Sequence, residues 1–185
     1  FKETIRHSFE ELKRFKQLKD QYHFREQLII QCLDQEKISL SEFDAIVGRG
    51  GALSPLSSGT YYINQIMLEE LRERPRIEHA SNLGAQIAYE LAQKVNIPSF
   101  IVDPIAVDEL EPIARISGMP EIERVSLSHA LSLKAAARRA AQEIGKSYQE
   151  LNLIVVHLGG GISVSAHCGG KMIDVNDASS EGPFS

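Results

Sequence analysis

Apolar residues recur at helical spacing over most of the first 145 positions and alternate at period two beyond residue 152. The opening FKETIRH (1–7) reads as the end of a strand. Ser8 and Glu11 then form an S-x-x-E capping box, where each side chain serves the other's backbone N–H. Leu12, Phe15, Tyr22, Ile29 and Leu33 follow on one stripe, which predicts a helix to about Glu36. FDAIVGRGG (43–51) predicts a short buried strand ending in a glycine-rich bend. LSPLSSGT (53–60) is a loop by composition. Thr60 is placed to cap a helix through Ile63, Ile66, Met67 and Leu71, stopped by Pro75.

Leu83, Ile87, Leu91 and Val95 predict a helix over 79–95, closed by Asn96 and Pro98. SFIVDP (99–104) predicts a compact strand with Asp103 at its far end. Two prolines, a glycine and several acids make 105–122 a loop-rich connection. A helix over about 123–144 follows, with Leu127, Leu131, Ala137, Ala141 and Ile144 on one stripe and Gly145 as its stop. LIVVH, ISVSAH and KMIDV then read as three strands joined by LGGG and CGG, a β-meander whose first member is a buried strand. Helices alternating with single strands, then consecutive strands, give an α/β organisation with a boundary near 105–122.

The 185 residues suffice for one large domain or two small ones. The net charge of −5 leaves no Lys/Arg excess to displace counterions, so nucleic acid is not an expected partner, nor is a polybasic membrane anchor. No apolar run reaches transmembrane length. Cys32 and Cys168 form neither a CxxC pair nor a metal-ligand spacing, so no metal-ligating set is assigned and a reducing cytoplasm is expected. The chain starts at Phe and stops in a turn-like EGPFS, so it reads as a piece of a longer protein.

The candidate chemistry gathers at polar residues beside strand ends and helix starts, the positions that line an α/β crevice. Gly159, Gly160 and Gly161 strip side chains from a whole hairpin tip. Glycine tolerates positive φ there, and a bare tip lets an anion approach several N–H groups in a nest. His157 stands just before it as a donor able to carry charge. A flexible hairpin with an incidental histidine explains the turn equally well on the residues alone. Neither the Walker A nor the GxGxxG pattern is present. Arg49 ends one strand, Asp103 ends another and His79 opens a helix. Each has an ordinary structural explanation singly; together with a glycine loop they make a phosphoryl-transfer set. His129 reads as a packing residue. Lys134, Arg138 and Arg139 read as a solvated face, the Asp108, Glu109 and Glu111 cluster fits a metal site or a surface loop equally well, and His167 has no supporting context.

FDAIVGRGG, TYYIN, HASNLGAQIAYELA, FIVDPIAVDELEPIARISGMPEIER and VVHLGGGISVSAHCGGKMIDVNDASSEGPFS closely resemble the butyrate kinases, within the acetate, propionate and butyrate kinase family. The resemblance covers nearly the whole chain. It implies a partial actin-like ATPase (ribonuclease H-like) fold, with 1–120 the remainder of a first lobe and 121–185 the start of a second. It implies reversible phosphoryl transfer from ATP to butyrate or a branched short-chain acid, with Mg²⁺, by a cytoplasmic homodimer. On this resemblance His157 stabilises the transferring phosphoryl group, Gly159, Gly160 and Gly161 donate N–H groups, Arg49 holds the carboxylate or the phosphoryl group, Asp103 lies near the phosphoryl centre and His79 near the acyl substrate. An NPGSTS-like phosphate loop and the adenosine-binding segments are not in this sequence. SPLSSGT and NDASSEGPFS also depart from the family's versions of those stretches. A non-catalytic remnant that folds and associates therefore stands as the alternative.

Overall fold

The structure, a computed structural model, describes residues 2–176. The NDASSEGPFS departure falls almost wholly on residues 177–185, outside the described residues. The chain divides into two compact units, one of residues 1–51 with 61–101, the other of 52–60 with 102–185.

The first unit starts with the predicted capping box. Ser8 Oγ accepts from Glu11 N–H, and the Glu11 carboxylate accepts from Ser8 N–H. The helix it opens, α1 (Phe9–Leu12), is only four residues long rather than reaching Glu36. Aromatic packing ends it: Phe15 folds back to 5.5 Å from Phe24, and the Arg14 guanidinium lies 4.5 Å from the same ring. A 3-10 turn (Leu18–Gln21) follows, then α2 (Tyr22–Gln35). The strands are β1 (Ile46–Arg49), β2 (Thr60–Tyr62) and β3 (Ser99–Val102), in sheet order β1-β3-β2. Thr60 therefore begins a strand, not a helix; a β-branched residue and two tyrosines favour the pleated surface. The expected helix starts later as α3 (Gln65–Glu73), where the Asn64 side chain accepts from Met67 N–H.

Helix α4 (Asn82–Val95) buries Leu83, Ile87 and Leu91 against Leu18, Tyr22, Ile29, Ile30 and Ile46. Asn96 ends it in the left-handed conformation, as its place before Pro98 suggested. Two glycines set how closely α4 meets β1. A Cβ on Gly48 would sit 2.3 Å from Gly84 O, and one on Gly84 would sit 2.5 Å from Arg49 O. That contact presses the Arg49 backbone against the first turns of α4.

In the second unit α5 (Ala130–Ile144) begins seven residues later than the sequence pattern suggested. The chain before it is held extended: Ser128 N–H donates to Ile105 O, and Ser126 Oγ to Val107 O. Leu127 is buried without being helical. The buried stripe of α5 is Ala130, Leu133, Lys134, Ala137 and Ala141, while Ile144 is exposed. The meander is as expected: β4 (Leu153–Leu158), β5 (Ile162–Cys168) and β6 (Lys171–Val175), antiparallel in that order. β4 is not buried on both faces, however. Val155 packs into the cores with Ala130, Leu133, Met172 and Tyr148, whereas Ile154 and Leu158 are 71% and 76% exposed.

Candidate functional site

In the first unit, the β1–α4 approach places Arg49 at a strand end, as the sequence predicted, and His79 three residues ahead of α4, which starts at Asn82 rather than at 79. His79 Nδ1 lies 2.7 Å from Ser81 Oγ and accepts the Ser81 backbone N–H at 3.2 Å. Its carbonyl accepts from Asn82 N–H at 2.9 Å. Burial, and then the positive charge of Arg49, hold the His79 pKa below the ordinary histidine value. The Arg49 charge thus bears on His79 within this unit.

In the second unit, Asp103 ends β3 with φ 39°, a left-handed conformation that carries strain for a residue with a Cβ. Its carboxylate is 1% exposed and fully engaged. Oδ1 accepts from Ser58 Oγ at 2.6 Å and from Gly59 N–H at 2.9 Å; Oδ2 accepts from Arg138 Nη1 at 2.9 Å. Arg138 Nη2 also reaches Ser58 Oγ at 3.3 Å. Asp103 therefore organises the 58–59 loop and bonds Arg138, a residue the sequence places on a solvated face and whose side chain is still 45% exposed.

Lys134 overturns the same reading more completely. It is 1% exposed, with Nζ 2.5 Å from Glu109 Oε2 and 3.3 Å from Gly170 O. Glu109 also accepts from Met172 N–H at 2.9 Å, and Asp108 pairs with Arg115 at 2.7 Å. These acids are therefore structural anchors rather than a surface loop. Arg139, paired with Glu143 one turn along, fits the solvated face, and so does Arg138, whose side chain is 45% exposed.

The hairpin tip joins β4 to β5 through Gly159, Gly160 and Gly161. Its geometry corrects one expectation. Among the described residues the glycines with positive φ are Gly145, Gly169 and Gly170, so the tip is not a nest built on left-handed residues. The tip has three residues and closes by Gly159 N–H donating to Gly161 O at 3.1 Å; the two-residue Gly169–Gly170 turn is the one needing positive φ. Space is tight at Gly159 alone of the two tip glycines Gly159 and Gly160. A Cβ on Gly159 would stand 2.9 Å from His157 Nε2, while one on Gly160 would meet nothing within 4 Å.

His157 pairs across the sheet with Ser163, so their side chains share a face. Ser163 is fully buried, and its Oγ accepts from His129 N–H at 3.3 Å and lies 2.9 Å from His129 Nδ1. His129, at the N-cap of α5, consequently lies flat on His157, ring centroids 4.0 Å apart and planes at 13°. The sequence reading missed this partner. The sequence carried no signal for it, because the apolar pattern puts His129 inside a helix over about 123–144 rather than at the start of one. Asp103, His157 and the glycines belong to one unit, and Arg49 and His79 to the other.

His167 also gains a context. It is 2% exposed, with Nδ1 2.5 Å from Tyr148 Oη and Nε2 2.8 Å from Ser165 Oγ. Ser165 Oγ donates to Val155 O at 3.1 Å, so it receives the Nε2 proton and Tyr148 donates to Nδ1. The ring is neutral. Burial, followed by the Lys134 charge, depresses its pKa to about 4.

Among the described residues no helix is long and apolar enough to cross a membrane, and no group of three or more His, Cys, Asp or Glu side chains is placed to hold a metal ion.

Comparison with known proteins bears on the fold and the kinship of the chain. Residues 122–178 match the Acetokinase family model. The whole chain is 52% identical to Butyrate kinase 1 of Clostridium acetobutylicum and spans 52% of that protein's length. Acetate kinase from Porphyromonas gingivalis superposes with a TM-score of 0.61 at 22% identity, over 80% of this chain and 41% of its own. A propionate kinase from Francisella tularensis gives 0.58 at 23% identity, over 80% and 40%. These likenesses establish the fold as part of an actin-like ATPase fold.

Proposed function

We propose that this chain, which matches the Acetokinase family model over residues 122–178 and is 52% identical throughout to a butyrate kinase, transfers the γ-phosphoryl group of ATP to butyrate or a related short-chain carboxylate, forming an acyl phosphate and ADP. A carboxylate oxygen attacks phosphorus, the bond to the bridging β–γ oxygen breaks, and ADP leaves with that electron pair. Such a reaction needs little covalent chemistry from the protein; positioning and charge stabilisation dominate.

The observation that supports this reading best is the His157–His129 stack beside a side-chain-free tip. Two imidazole rings offer N–H donors to phosphoryl oxygens whose charge grows in the transition state. The open surroundings of Gly160 let a phosphate approach backbone that any side chain would cover. Arg49 and His79 are assigned to the carboxylate, a cation and a neutral donor for an anionic acceptor. Asp103 is assigned a positioning role through Ser58, Gly59 and Arg138. Mg²⁺ accompanies the nucleotide in this reading. The described residues provide no cage for it, and no step is assigned to it. A first lobe over 1–120, a second beginning at 121, a cytoplasmic location and a homodimer belong to the same proposal, by kinship.

The test is acyl phosphate formation. The chain, alone and joined to the sequence its gene encodes on either side, is given butyrate, isobutyrate or acetate with Mg-ATP, and product is trapped with hydroxylamine. Hydroxamate from butyrate in the longer form supports the reading. Hydroxamate from no carboxylate in either form overturns it and favours the non-catalytic remnant.

A further inference from the structure

A backbone N–H can only donate. The Ser81 amide donates to His79 Nδ1 at 3.2 Å, so Nδ1 presents its lone pair and carries no proton. Ser81 Oγ stands 2.7 Å from the same nitrogen and therefore donates its hydroxyl proton to it. We propose that Ser81 is a positioning residue for His79, clamping the imidazole as the neutral tautomer whose donor is Nε2–H. This rests on the assignment of His79 to the carboxylate substrate.

The local structure shows that the clamp is built rather than incidental. Ser81 occupies the N-cap of α4 and is 8% exposed, yet its side chain makes no capping bond to its own helix. An N-cap serine ordinarily accepts from the second or third amide of the helix. Here the hydroxyl serves the imidazole instead, and the imidazole receives the Ser81 amide. His79 O accepts from Asn82 N–H at 2.9 Å, so ring and backbone are both fixed to the first turn. The helix start carries positive partial charge, and Arg49 adds a full one, so a second cation at His79 is disfavoured.

The chemical consequence concerns binding. A free neutral imidazole divides itself between two tautomers and two ring orientations, only some of which aim a donor at a carboxylate. Clamping Nδ1 makes Nε2–H the single ring donor. Losing one such bond weakens binding by about 2- to 10-fold, the ordinary net worth of a hydrogen bond.

Two measurements test the clamp. Histidine-labelled chain gives ¹⁵N–¹H long-range correlations, with His79 assigned by its loss in His79→Gln. A lone-pair-type shift at Nδ1 and a protonated-type shift at Nε2 are expected, with the Nδ1 shift moving in Ser81→Ala and returning in Ser81→Thr. A protonated Nδ1 in the unaltered chain, or an unchanged spectrum in Ser81→Ala, overturns the clamp. In the phosphorylating full-length protein, Ser81→Ala should raise the carboxylate KM about 2- to 10-fold with kcat nearly unchanged, and Ser81→Thr should restore it. An unaltered KM overturns the positioning role even if the spectra show the clamp. Absence of carboxylate phosphorylation in the unaltered protein overturns the functional reading instead, and the spectra still decide the tautomer.

Discussion

His129 lies parallel to His157 with 4.0 Å between ring centroids, although the two are 28 positions apart in sequence. Ser163 makes this possible: it faces His157 across the β4–β5 ladder and takes the backbone N–H of His129. A helix cap and a strand residue are thereby fixed ring on ring. Two rings packed face to face at this distance hold one another in place, so they act as a unit.

The pair should therefore fail together. In the active full-length protein, His157→Ala is expected to lower kcat by about 100-fold or more, with a much smaller change in carboxylate KM. His129→Ala should fall in the same range, and the double variant should lose far less than the product of the two. Steady-state kinetics of the four proteins check this. Fully multiplicative losses would show that the rings work independently.

Two cations of α5, Lys134 and Arg139, should separate cleanly by stability. Lys134 is buried against Glu109 at 2.5 Å, so Lys134→Ala leaves an uncompensated buried carboxylate. A loss of about 3–5 kcal/mol is expected in urea unfolding. Arg139→Ala, which removes an exposed pair, should cost less than about 0.5 kcal/mol. Comparable losses for the two would contradict the buried placement of Lys134.

His167 makes stability depend on acid in a definite direction. Its folded pKa is about 4, below the ordinary histidine value of 6.5. Between those values the unfolded chain binds more protons than the folded one, so stability falls as pH drops through this window. Above pH 6.5 the contribution is fully present. By pH 4 the loss approaches about 3 kcal/mol. Denaturation midpoints from pH 7 to 4 should decline more steeply in the unaltered chain than in His167→Gln. Parallel curves would remove His167 as the cause.

Period and punctuation made much of this architecture readable in advance. The Ser8–Glu11 capping box, the Leu83–Ile87–Leu91 stripe, the Gly145 stop and the three-strand meander all stand where their residues placed them. The errors arose where non-local contacts override local propensity. Phe15 and Arg14 fold onto Phe24 and end α1 early; Ser126 and Ser128 bond to the 105–107 segment and delay α5. The burial of Lys134 and Arg138's bond to Asp103 depend on carboxylates 25 and 35 residues away, which no helical periodicity can reveal. The placement of Arg49 at a strand end, of His79 ahead of a helix and of His157 beside a hairpin tip was legible, because strand ends, helix starts and turns are. His129 was not, because its importance comes from a ring it meets only in three dimensions.

The central claim is that the tip of the β4–β5 hairpin receives the transferring phosphoryl group. Gly160 tests it most directly, because a Cβ there meets nothing within 4 Å and φ is not in the left-handed region. Gly160→Ala should leave the thermal midpoint of the full-length protein unchanged and lower its rate of acyl phosphate formation by at least about 10-fold, through exclusion of the phosphate from the backbone. An alanine variant as fast as the unaltered protein, at equal stability, would contradict the account.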